Sequence, residues 1–163
     1  MYFTREQIAA VGWCFSTAEK LTERYFDLGR DAFRHNRYDV QTRFFLADHE
    51  VHDRAFAHLC RYEYHRPGEQ DLSGDRNFFK ICLQDERILH AVERSVCFIK
   101  FEPLVRYIAT HELVHVIRFN RGEADFEASL EEKMIEEEKV HEITRTILKP
   151  HADREMNLVI DCF

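Results

Sequence analysis

Turn-forming residues are scarce in this chain: five Gly and three Pro in 163 positions. An all-β chain of short strands and tight turns needs more of both, so the shortage favours long helices joined by short loops. No apolar stretch reaches the roughly 20 residues that a membrane-spanning helix needs, which predicts no membrane partner. Basic residues are outnumbered, and the formal charge is −7. That excludes a general nucleic-acid binder, which needs a basic face to meet phosphates. The five Cys residues (Cys14, Cys60, Cys82, Cys97 and Cys162) form no CxxC pair. The opening run MYFTREQ carries charge at once and has no apolar run behind it. Free thiols and a cytoplasmic location are the expectation.

What is abundant is core material and histidine. Fourteen Phe, six Tyr and 45% hydrophobic residues supply one domain spanning 1–163. Ten His residues are many for this length. Histidine is the commonest metal ligand, so their spacing matters.

Periodicity predicts an all-α bundle of about five helices. The first covers 4–28, with Thr4 and Gln7 as a capping box and Gly29 as a stop. A second covers 37–63 with Val40, Phe44, Val51, Ala55 and Leu59 on its stripe. A loop follows at 64–76, where Pro67, Gly68 and Gly74 cluster. A third helix covers 77–100, although FFKICL and VCFIKF also tolerate a strand. A fourth covers 103–119, opened by Pro103 and closed by the turn Asn120-Arg121-Gly122. A fifth, highly charged, covers 123–148 and packs on the fourth as a hairpin. The tail 151–163 is too short to place.

The fourth helix contains His111-Glu112-Leu113-Val114-His115. Positions i and i+4 lie about 40° apart on a helix, so the two imidazoles can grip one ion. Glu112, about 100° from His111, lies near the edge of that face, where it reaches a metal-bound water without being a ligand. Both histidines fall on the apolar stripe of Leu104, Ile108 and Phe119, where ring nitrogens need partners. On the fifth helix, Leu130, Met134, Thr144 and Leu148 mark a core stripe with Glu137 and His141 at its centre. Glu138 lies on its flank, and Glu136 and Glu142 point away. Zinc suits such a donor set.

These residues give the HELVH segment a resemblance to HExxH zinc metallopeptidases of the gluzincin type, over about residues 103–142. The resemblance implies His111 and His115 as zinc ligands, Glu137 or Glu138 as third ligand, and Glu112 as general base on the zinc-bound water. The implied activity is that of a zinc-dependent hydrolase, metallopeptidase-like, whose substrate is a peptide. The all-helical reading leaves no edge strand before the HELVH helix, and leaves Glu127 or His141 to orient a ligand histidine.

Two other readings use overlapping residues. Glu112-Leu-Val-His115 and Glu138-Lys-Val-His141 form a pair of Glu-x-x-His motifs, a partial resemblance to ferritin-like di-iron bundles. There Asp48 or Asp85, and the inward candidate His52, would join Glu112, His115, Glu138 and His141 around two iron or manganese ions. The third reading is non-catalytic: a structural metal closed off by His111, His115, Glu137 and His141.

Overall fold

The computed structural model describes residues 1–63, 77–95 and 98–163. Among them, six α-helices flank a three-stranded mixed sheet: α1 (Arg5–Tyr25), α2 (Ala32–His35), β1 (Tyr38–Gln41), β2 (Ala57–Glu63), β3 (Asn77–Leu83), α3 (Asp85–Arg94), α4 (Phe101–Asn120), α5 (Leu130–Leu148) and α6 (Arg154–Cys162). The expected all-α helical bundle is therefore wrong. The predicted second helix is β1, two single 3-10 turns and β2, and the predicted third helix is β3 followed by α3. The reason is alternation. In β2, Ala57 and Leu59 pack on the core while His58, Cys60 and Tyr62 alternate with them, and in β3 Phe79, Ile81 and Leu83 are fully buried at every second position, with Cys82 buried between the last two. Segment 98–100 has no strand, and the predicted loop 64–76 lies outside the described residues.

β3 is the central strand. It pairs with β1 in parallel, Val40 opposite Ile81, and with β2 antiparallel, Leu59 opposite Ile81. β2 is thus an edge strand among the described residues. One sheet face gives Ile81 and Leu83 to the main core with Leu104, Val105, Ile108 and Leu113 of α4.

On the other face Glu50 is 3% exposed. Lys80 Nζ donates to both its oxygens at 2.9 and 2.7 Å, the Tyr62 hydroxyl donates at 2.6 Å and the Ala47 amide at 2.9 Å. Burial alone would raise the Glu50 carboxyl, but the Lys80 ammonium and the Tyr62 and Ala47 donors outweigh it and hold it at about 2. A depressed folded-state pKa stabilises the fold above the unfolded value of about 4.3, and that contribution disappears as pH falls through the folded value. Glu50→Gln should therefore cost about 3 kcal/mol at pH 7 by leaving Lys80 unpaired. Denaturant titrations of the two proteins should converge between about pH 4 and pH 2; a gap independent of pH would refute the assignment.

α4 runs through the middle of the molecule. From Pro103 to Arg118 every residue except Arg106 is buried, as in a helix packed on all sides. α1, α3, α5, α6 and the sheet all contact it. Its end is a Schellman turn: Gly122, at φ +70°, donates its N–H to Phe119 O, and Glu123 donates to Arg118 O. The chain then runs without helix to Ser129, whose hydroxyl caps α5 by accepting from the Glu132 amide. Pairs Arg118–Glu136, His115–Glu137 and Tyr107–His141 run in opposite directions along α4 and α5, so the two helices are antiparallel. α1 begins at the predicted Thr4–Gln7 capping box. The tail forms α6, N-capped by Asp153.

A candidate metal centre on two antiparallel helices

The late start of α5 brings the cluster level. His115 lies five residues before the end of α4 and Glu137 seven residues into α5, about 7.5 and 10.5 Å of helix respectively. With the predicted start at 123, Glu137 would have stood about 21 Å along its helix. The irregular segment 123–129 removes that mismatch.

His111 Nε2 lies 2.8 Å from Glu137 Oε1, His115 Nε2 lies 3.0 Å from Glu137 Oε2, and the two Nε2 atoms are 3.2 Å apart. His141 Nε2 lies 3.6 Å from Glu137 Oε1, while its Nδ1 meets the Tyr107 hydroxyl at 2.7 Å. Donor atoms of His111, Glu137 and His141 all lie within 4.8 Å of one another. Separations of 2.8–3.2 Å are close to the roughly 3.3 Å edge of a tetrahedron with bonds of about 2.0 Å, the length of zinc–imidazole and zinc–carboxylate bonds. The Nδ1 atoms of His111 and His115 are buried without a hydrogen-bond partner among the described residues. Every hydrogen bond of those two rings is thus made through Nε2, the atoms that converge. The donor set fits a zinc ion.

Electrostatics also favour a cation. His111 and His115 are only 6% and 8% exposed. Burial lowers His111 to about 4, against the pull of the Glu137 carboxylate. Burial also opposes charge on His115, but Glu137 and Glu112 prevail and raise it. Glu137, penalised by burial, is nevertheless held well below the usual carboxylate range by hydrogen bonds from the two imidazoles. One carboxylate thus stabilises positive charge at a point where two imidazoles meet. A divalent ion can take that place and displace protons as it binds.

Glu112 stands beside this cluster and outside it. It is 8% exposed, and no hydrogen bond to its carboxylate is formed among the described residues. Burial pushes it up to about 7, His115 opposing and Glu137 adding to the effect. Two cavities, of about 660 and 400 Å³, meet at a wall formed by Ala55, Ala57, Glu112 and Glu137. His115 lines the larger, His111 and His141 the smaller. Ala57, His58 and Leu59 line the larger cavity in succession although their side chains alternate faces, so it runs along the edge of β2 that no described strand pairs with. The expectation of no edge strand is thereby corrected.

Of the other residues singled out in the sequence, Glu138 is exposed and joins neither cavity. Asp85, at the start of α3, spends its oxygens on the amides of Phe3 and Arg43, at 2.9 Å each. Asp48 is exposed in a 3-10 turn. His52 lines the larger cavity beside His58, ring centroids 5.4 Å apart. Glu127 is exposed and pairs with Arg61. On α5, Leu130 and Met134 prove exposed. Glu136, expected to point away, meets Arg118, and Glu137, expected at the stripe centre, is half exposed.

Tyr107 escaped the sequence reading. It is 3% exposed and occupies the same i+4 row as His111, His115 and Phe119, its ring stacked near His111 at 6.4 Å and His141 at 6.0 Å. Extending that row one turn towards the N-terminus would have found it. Among the described residues, Cys14, Cys60, Cys82 and Cys162 are free, and no helix is long and apolar enough to cross a membrane. No family model, curated protein or solved structure matches the chain, so the functional reading rests on the site itself.

Proposed function

We propose that this protein is a zinc-dependent hydrolase acting on peptide bonds, with His111, His115 and Glu137 as ligands and Glu112 as general base. The observation that carries the reading is the juxtaposition of three elements: converging Nε2 and carboxylate donors, a buried carboxylate with no hydrogen bond among the described residues, and along the same cavity β2, an edge strand among those residues. Zinc at this point would act as a Lewis acid and bring the pKa of a water towards about 7.

The chain's own residues supply the rest. Over Ala57–Leu59, the edge of β2, which pairs with no other strand among the described residues, offers backbone N–H and C=O groups to an extended peptide, which adds as a further strand. Ala55 and Ala57 leave room for its backbone opposite Glu112. Glu112, reaching both cavities, takes the proton of the attacking water and passes it to the leaving nitrogen. Tyr107 fixes the His141 ring by its bond to Nδ1 and leaves Nε2 facing Glu137.

A structural zinc closed by His141 is the second reading, favoured by the 4.8 Å grouping of His111, Glu137 and His141. One experiment separates them. The zinc-loaded protein is incubated with a mixed peptide pool, and cleavage is read by mass spectrometry with and without 1,10-phenanthroline. Cleavage that the chelator stops and added zinc restores is expected. A zinc-loaded protein that cleaves nothing would leave the closed structural site.

A further inference from the structure

The two cavities that meet at Glu112 are unlike in charge. The larger has Glu123, Asp125, Glu132 and Glu136 on its walls, with Lys133 as its one lysine among the described residues. Arg118 engages Glu123 and Glu136 from behind, and Asp125 and Glu132 form no ion pair among the described residues. The smaller cavity is lined by Phe56, Ile108 and Phe163, and its charged residues beyond the metal cluster and Glu112 are Arg54 and Arg87.

These arginines come from separate elements, Arg54 from the segment before β2 and Arg87 from the first turn of α3. Both are exposed, and neither guanidinium has a carboxylate partner among the described residues. Two unpaired guanidiniums at one apolar cavity are suited to a carboxylate, which a guanidinium holds through a fork of N–H donors. The shared wall holds Glu112, nine-tenths buried and with no hydrogen bond among the described residues, facing both cavities. It marks where a reacting group would sit between them.

We infer that the smaller cavity is a subsite for a substrate carboxylate, held by Arg54 and Arg87 beside an apolar group packed on Phe56, Ile108 and Phe163. The acidic walls of the larger cavity repel the same carboxylate, so the two cavities together fix which way a peptide lies across Glu112. The inference rests on the hydrolase reading and names its substrate class: a peptide with an acidic group on one side of the scissile bond. The carboxylate is either an Asp or Glu side chain or a peptide C-terminus, and one peptide set distinguishes them.

The test uses a peptide series in which one residue is Glu, Gln or Lys, each made as free acid and as C-terminal amide. With the zinc-loaded protein, kcat/KM for Glu should exceed that for Gln by about tenfold, since a charge-assisted pair is lost, and the ratio should shrink in high salt. A terminal carboxylate as the ligand would instead show as free acid over amide by the same margin. In the Arg54→Gln/Arg87→Gln double variant the preferred ratio should fall to about one.

Equal cleavage of all members overturns the carboxylate subsite and leaves the hydrolase standing. If no member is cleaved, the hydrolase reading fails, and binding decides the subsite alone. Fluorescence anisotropy of the labelled peptides with Glu112→Gln should then show carboxylate-dependent, salt-sensitive binding lost in the arginine variant. Absence of such binding overturns it.

Discussion

Replacing Glu112 by Gln is expected to lower peptide turnover by about 10²–10⁴-fold, the usual contribution of a general base, and to leave zinc content near one equivalent. The substitution keeps size and removes only the ability to take a proton. Glu112 makes none of the Nε2–carboxylate contacts that define the metal cluster, so its loss leaves the donor set whole. Substitution should not destabilise the fold, because no hydrogen bond among the described residues depends on it and a buried carboxylate is costlier than a buried amide. Turnover and metal content are measured on the same sample. Undiminished turnover removes Glu112 as the base; metal lost with the substitution makes Glu112 a ligand, as a dinuclear carboxylate site requires.

His115→Ala and His111→Ala should each reduce zinc affinity by more than the 10–100-fold that loss of a hydrogen-bonding neighbour of a ligand costs. Each removes one corner of the 2.8, 3.0 and 3.2 Å triangle. Glu137→Ala should do the same, since both Nε2 atoms converge on its carboxylate. Glu138→Ala, one residue away and exposed, should bind zinc as the parent does. Competition with a chromophoric chelator gives the affinities. Equal zinc affinity for Glu137→Ala and Glu138→Ala would show that Glu137 is not a ligand. Because His111 and His115 are buried in the central helix, thermal unfolding of each ion-free variant distinguishes loss of a ligand from loss of fold.

Much of the site was legible because it depends on one helix. The i, i+4 spacing of His111 and His115 needs only α-helical geometry, and α4 is strongly marked by Pro103 at its start and Gly122 at its end. Glu137 and His141 were legible by the same spacing on α5. Their level with the HELVH turn was not, because it depends on seven residues without helix between Gly122 and Leu130, and nothing local in 123–128 forbids helix. The side chain at 136 was misplaced for a related reason: α5 turns it towards Arg118, a long-range partner invisible to periodicity.

The sheet was missed where local signals conflict. Val40, Phe44, Val51, Ala55 and Leu59 imitate a helical stripe, yet they are drawn from β1, a 3-10 turn, connecting segments and β2. In β3, alternation was visible in Phe79, Ile81 and Leu83, but strand pairing joins residues distant in sequence, such as Val40 with Ile81. The missed strand β2 is the element that turns a pair of helices into a cleft. Arg54 and Phe163 entered no motif either, since only the fold brings them to one cavity with His111.

The central claim is that His111, His115 and Glu137 hold one zinc ion. Elemental analysis of protein purified without added metal, followed by X-ray absorption at the zinc edge, tests it most directly. About one zinc per chain, with nitrogen and oxygen neighbours at about 2.0–2.1 Å and no sulfur at 2.3 Å, is the predicted result. Two iron or manganese ions per chain, or no bound metal even after zinc is supplied, would contradict it.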